Sequence, residues 1–140
     1  MSTILRSRIN DLYAAYGRGH TDFVLNGIDD DVDLVSYAPT DIFPYLGHQR
    51  GKAAFNEVMR AAHAEFEFLT YKPLFLVVEG DDASAMISVR LRQRSTSRVI
   101  RLFVAHFLRF RQGRIYEIRE FMDTFDAVEQ VLGHEIETRP

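Results

Sequence analysis

Residues 98–122 read RVIRLFVAHFLRFRQGRIYEIREFM. Two runs rich in β-branched and aromatic residues flank a short RQG, so the stretch reads as two antiparallel strands around a tight turn. Upstream, LFLVVEG (74–80) and ASAMISVRLRQR (83–94) have the same character and are bounded by the turn-like EGDD and RSTS. Consecutive strands with connections this short predict an antiparallel meander.

Helices precede it. Ile4, Leu5, Ile9, Leu12, Tyr13 and Tyr16 recur at helical spacing across residues 3–16, and GRGH (17–20) ends that helix. Thr21 can cap a short second helix carrying Phe23, Val24 and Ile28. The acidic IDDDVD leads into a strand over VDLVSY (32–37), and the Pro- and Gly-containing APTDIFPYLGHQRG (38–51) reads as a loop. A third helix runs from Lys52 to about Phe66. After the meander, Asp123 is placed to cap a last helix over 124–132, closed by Gly133. Helices followed by a meander predict an α+β domain over 1–140. Long twisted strands would curl around the N-terminal helices and leave a cone-shaped cavity.

Composition narrows the function classes. A formal net charge of −3 offers no bulk electrostatic attraction for nucleic acid or an anionic membrane. The absence of cysteine removes disulfides, thiolate catalysis and zinc–thiolate sites together. His48 and His63 have no metal-ligand spacing and read as surface residues. Arg6, Arg8 and Asp11 interrupt the N-terminal apolar positions, which argues against a signal peptide. No apolar run approaches the ~20 residues that span a bilayer. The expectation is a cytoplasmic protein with no metal, no cofactor, and neither nucleic-acid nor membrane partners.

Two stretches carry a family resemblance. GRIYEIREFMDTFDAVEQVLG (113–133) combines a turn glycine, a strand ending in an acid and a terminal helix. LGHQRGKAAFNEVM (46–59) is a G-x-x-x-G loop opening a helix. Together they resemble the nuclear transport factor 2-like superfamily, which includes ketosteroid isomerases, limonene epoxide hydrolases and SnoaL-like polyketide cyclases. The resemblance implies a cone-shaped α+β barrel with N-terminal helices on a curved antiparallel sheet, and a hydrophobic pocket that serves enzymes and binding modules alike.

Strand alternation selects the pocket face. Leu102, Val104, His106, Leu108 and Phe110 form the more apolar set of the first strand; Ile118, Glu120 and Met122 share a face of the second. A three-residue loop centred on Gln112 would pair His106 with Ile118 and Val104 with Glu120, leaving His106 and Glu120 diagonal neighbours. The resemblance supports the same two residues. Glu120 falls where limonene epoxide hydrolases carry a catalytic aspartate, and His106 where ketosteroid isomerases keep a protonated one. A carboxylate and an imidazole in an apolar cavity can exchange a proton near neutral pH, with Glu120 as base and His106 assisting.

Other pocket candidates come from neighbouring elements. Leu12 stands where the isomerases place an oxyanion-binding tyrosine, and Tyr13 and Tyr16 are on the same apolar helix face, from which at least one is expected to reach the cavity. Ser36 occupies the position of the isomerase base and of the hydrolase asparagine. Phe43 and Tyr45 could form an aromatic lid, and Met59 comes from the third helix. Val89 and Ile87 stand where the hydrolases carry their second acid and arginine, or Arg90 and Ser88 if the register slips by one residue, and no register supplies the acid. Neither mechanism therefore carries over intact. A SnoaL-like cyclase, needing one acid–base group and a shaped cavity, is the most permissive match.

The opposite sheet face carries Arg90, Arg92, Arg101, Arg109 and Arg119 among Phe103, Phe107 and Phe121. That mixture fits a protein interface, and relatives of this fold dimerise there, so a homodimer is expected. The functional expectation is a protein that binds a small hydrophobic molecule, either as an isomerase, cyclase or hydrolase or as a non-catalytic binding or association module.

Overall fold

The computed structural model describes residues 2–138. Two helices, α1 (Ser2–Arg18) and α2 (Thr21–Asn26), precede β1 (Ile28–Ser36) and the short β2 (His48–Arg50). Helix α3 (Lys52–Glu65) leads directly into β3 (Phe66–Glu79), β4 (Asp82–Gln93), β5 (Val99–Arg111) and β6 (Arg114–Met122), and α4 (Thr124–Leu132) closes the chain. The fold is α+β. Among the described residues, no helix is long and apolar enough to cross a membrane.

The six strands form one open sheet in the order β2-β1-β6-β5-β4-β3. The meander β3–β6 is antiparallel, and β1 adds to it parallel to β6. The inner face is apolar: Ile87, Val89, Ile100, Val104, Leu108 and Phe110 are buried there. Helix α1 lies against β3, and α3 against β1 and β3. Burying these faces is the dominant stabilising term.

Three local features depart from the sequence expectations. Strand β1 starts at Ile28 and absorbs the acidic run, because Ile28, Val32 and Leu34 turn inward while Asp29 is held by a bidentate bond to Arg111. Residues 48–50 of the expected loop form a strand on β1. The β5–β6 connection is also tighter than a three-residue loop. Gln112 (φ 52°) and Gly113 (φ 75°) are both left-handed, and Arg111 pairs with Arg114 across them. Two left-handed central residues define the hairpin turn whose twist matches the strands. A register shift then follows between Arg109 and Phe110, leaving Tyr116 as an extra residue on β6. The outcome is that His106 faces Glu120 directly and Val104 faces Met122.

Candidate active site

The sheet register assembles the polar centre. In β6, Glu120 is flanked by Ser36 of β1 and His106 of β5, all three on the inner face. Tyr13 reaches them from α1. Ser36 Oγ donates to Glu120 Oε1 at 2.6 Å, and His106 Nε2 bonds the other carboxylate oxygen, Oε2, at 2.7 Å. The Tyr13 hydroxyl meets His106 Nδ1 at 2.7 Å. The result is a continuous chain, Ser36–Glu120–His106–Tyr13.

Its electrostatics are set by competition. Burial pushes the Glu120 carboxyl up, but the bond from His106, its charge and the Ser36 hydroxyl together hold it below the usual glutamate range. Glu120 is therefore a carboxylate at neutral pH, and His106 Nε2 must carry a proton to bond it. With His106 neutral, Nδ1 is an acceptor and Tyr13 donates to it. With His106 charged, Nδ1–H donates to the tyrosine oxygen and frees the phenol proton. Burial, and then the charge of Glu120, push the hydroxyls of Tyr13 and Tyr16 well above the ordinary tyrosine range. Tyr71 is raised likewise, by burial and then by Tyr16, Glu120 and Tyr13. These phenols stay protonated and act as donors.

The chain opens on a cavity of about 90 Å³ lined mainly by Ile, Leu and Val side chains, with Tyr13, Tyr16, Tyr71, Phe55, His106 and Glu120. Both imidazole nitrogens are engaged within the protein, so His106 orients Tyr13 and Glu120. Each Glu120 oxygen accepts one protein bond, and a carboxylate has about four lone-pair positions, which leaves capacity toward the cavity.

Of the sequence candidates, Leu12, Tyr16, His106, Ile118 and Glu120 line this cavity, and Ser36 stands behind Glu120. The others lie outside the lining. Phe43, Met59, Val89 and Val104 are buried in the core, where they pack rather than face open space; Leu102 and Met122 pack partly buried against it. Tyr45, also partly buried, bonds Glu65 through its hydroxyl. His63, expected at the surface, is half-buried: Nε2 donates to the Tyr16 carbonyl at 2.7 Å, and its ring stacks on Phe68 at 4.1 Å. His48 is exposed and bonds Asp33. Asp123 caps α4, its side chain accepting from the Asp126 N–H at 3.1 Å. Arg119 ties Asp33 to Glu117 beside the site.

Tyr13 and Tyr16 share the apolar face of α1, from which at least one is expected to reach the cavity, and both line it. One site residue, Tyr71, escapes sequence reasoning. Tyr71 falls between the readable end of α3 and the readable part of β3, where Lys72 and Pro73 interrupt the strand pattern. Among the described residues, no group of three or more His, Asp or Glu side chains is arranged to hold a metal ion.

Comparison with known proteins gives a consistent picture. The family described as "SnoaL-like domain" matches residues 9–118. A crystal structure from Rhodopseudomonas palustris, provisionally named an isomerase, is 35% identical with a TM-score of 0.81, covering 88% of this chain and 91% of its own. A nuclear transport factor 2-like protein from Burkholderia xenovorans is 23% identical (TM-score 0.77), with 91% of this chain and 95% of that one covered. An epoxide hydrolase of the limonene-hydrolase-like type from M. tuberculosis is 16% identical (TM-score 0.76), with coverages of 94% and 91%. At those lower identities the likeness is one of fold. Among curated proteins, none matches this sequence.

Proposed function

Since this chain belongs to the SnoaL-like domain family, whose fold encloses a pocket, we propose that it is an acid–base enzyme acting on a small, mainly apolar molecule, with Glu120 as the base. The observation that carries this reading is the Ser36–Glu120–His106–Tyr13 hydrogen-bond chain facing a cavity otherwise lined by aliphatic and aromatic side chains. A structural ion pair needs no cavity beside it; a base does.

The chemistry that fits is proton abstraction next to a carbonyl. A Glu120 oxygen takes the proton, the C–H electron pair moves onto the carbonyl oxygen as an enolate, and the Tyr13 hydroxyl donates to that oxygen. Donation requires His106 in its charged form, with Nδ1–H turned to the tyrosine oxygen. Return of the proton to a different carbon isomerises the molecule; attack of the enolate carbon on a second carbonyl closes a ring. The isomerase name of the Rhodopseudomonas relative supports the first outcome.

A second reading has its own support: both His106 nitrogens and both Glu120 oxygens already have protein partners, as in a purely ligand-orienting site. One experiment separates the two. Deuterium exchange at the α-carbon of small ketones is followed by NMR with wild type and Glu120→Gln. An enzyme loses about 10²–10⁴-fold of its exchange rate in the variant while ligand still binds. Equal rates in both proteins would overturn the catalytic reading.

A further inference from the structure

The cavity reaches solvent at one end. Of the side chains that line it, Tyr16, Tyr71, Glu120 and Leu46 are partly exposed, and the rest of the lining is buried. The closed end lies at Ile9 and Ile115, where neighbouring Arg8 donates to the Gly113 carbonyl at 2.9 Å. At the open end, Tyr16, Tyr71 and Glu120 belong to α1, β3 and β6. Leu46 comes instead from a segment without helix or strand, the connection between β1 and β2.

That segment ends in a strap strung between two fixed points. Phe43 is 5% exposed and packed in the core, and the Gly47 carbonyl accepts from the Ser36 N–H at 2.8 Å. Between them, Pro44 is exposed, and Tyr45 and Leu46 are half-buried. Gly47 has φ 88°, so it can take up a rotation that a residue with a side chain resists. The strap is held down lightly. Within it, the Leu46 N–H donates to the Phe43 carbonyl at 3.0 Å, and Gln49 reaches the Tyr45 and Leu46 carbonyls through two long bonds of 3.3 Å. Tyr45 makes the tie to α3, its hydroxyl donating to Glu65 Oε2 at 3.1 Å. Burial and then Glu65 push that phenol above the ordinary tyrosine range, and Tyr16 and Glu120 add to the shift, so this tie stands beside the mouth. Size makes an opening necessary. About 90 Å³ is less than the ~150 Å³ of an engineered apolar cavity that takes benzene. A ligand of more than a few heavy atoms must displace a wall to enter, and Leu46 is on the wall that belongs to no helix or strand.

We infer that residues 44–46 are the lid of the cavity, with Leu46 as its plug and the Tyr45–Glu65 hydrogen bond as its latch. A ligand enters between Leu46, Tyr16 and Tyr71 to reach Glu120. Phe43 is then a fulcrum in the core and no part of the lid. Opening breaks one hydrogen bond to α3 and lifts Leu46, so the same motion admits a ligand and enlarges the room for it. The route is independent of what Glu120 does to the ligand once bound.

Xenon is the probe, because it occupies small apolar cavities without polar recognition. Its exchange between water and the cavity is measured by xenon NMR saturation transfer. Tyr45→Phe and Glu65→Met each remove the latch while keeping the bulk of the side chain, and circular dichroism verifies that the variants are folded. Each should speed exchange about 3–10-fold, the range of one net hydrogen bond. The double variant should be no faster than either single one, because the two residues share one bond. Leu46→Ala should also speed exchange, and Arg8→Gln at the closed end should leave it unchanged. Unaltered exchange in both latch variants, or a larger acceleration from Arg8→Gln, would overturn the lid. Accelerations that multiply in the double variant would rule out Tyr45–Glu65 as the latch, and an unaltered rate in Leu46→Ala would rule out the plug. Failure of xenon to enter the wild-type cavity at all would also sink the route.

Discussion

At Glu120 the balance between burial and hydrogen bonding can be read directly. Burial alone would raise its pKa, whereas His106 and the Ser36 hydroxyl bring it below the usual range. The sign of the linkage follows. A carboxyl depressed on folding adds stability above its unfolded pKa of about 4.3, and that stability is lost as pH falls through the folded value. Ser36→Ala removes one of the three lowering influences without touching His106. The expected outcome is an upward shift of the Glu120 titration, visible as a higher acid limb in the pH–rate profile and in a carboxyl-detected NMR titration. The variant should also be destabilised by about 1–2 kcal/mol, because a bond to a charged group is lost. An unchanged titration would mean that the Ser36 hydroxyl serves packing alone.

At the level of elements, regularity decided what the sequence disclosed. Helix α4 was legible to the residue, because Asp123 and Gly133 bracket it: Asp123 accepts the Asp126 N–H, and Gly133 adopts φ 80°. Asp123→Ala should cost about 1 kcal/mol in chemical denaturation, and Asp123→Ser should recover most of it. The inner face of β5 was legible from alternation. The register was not, and the reason is arithmetic. A two-residue turn in place of three shifts the pairing by one, which alone would turn Arg119 inward; the extra Tyr116 shifts it by one more and restores the face. His106 and Glu120 therefore share the inner face as expected but stand directly opposite. The bond from Tyr13 to His106 was hidden for a different reason. Leu12 and Tyr13 are equally buried neighbours on α1, and periodicity cannot say which of them reaches His106. Tyr71 was obscured by Pro73, tolerated because β3 is an edge strand with a bulge at that point.

At the scale of the whole molecule, the outer face of the sheet is unfinished. Phe103, Phe107 and Phe121 are 65%, 52% and 41% exposed, and Tyr37 stacks on Phe121 at 4.5 Å. The register alternates large with small: Ser88 beside Phe103, Met86 beside Ala105 beside Phe121, and Ser84 beside Phe107. A checkerboard of knobs around small residues is complementary to its own copy. Charge points the same way. Arg90 and Arg101 stand directly opposite each other at one end of the patch, an unfavourable pairing, and neither makes a salt bridge among the described residues. Glu79, Asp81 and Asp82 gather at the other end, with only a loose 3.6 Å contact from Arg109 to Asp82. We propose that a second copy covers this face about a two-fold axis crossing the strands near Ala105. Such an axis lays the arginine end of one copy over the acidic end of the other. Sedimentation equilibrium should then give twice the 16.2 kDa chain mass. Phe103→Glu should weaken association by at least about 100-fold, since a charge would enter a closed apolar patch. Arg101→Glu should weaken it less, and adding Asp82→Arg to that variant should restore it. A wild-type monomer at high micromolar concentration would rule the interface out, and failure of the double variant to recover would rule out this orientation of the axis.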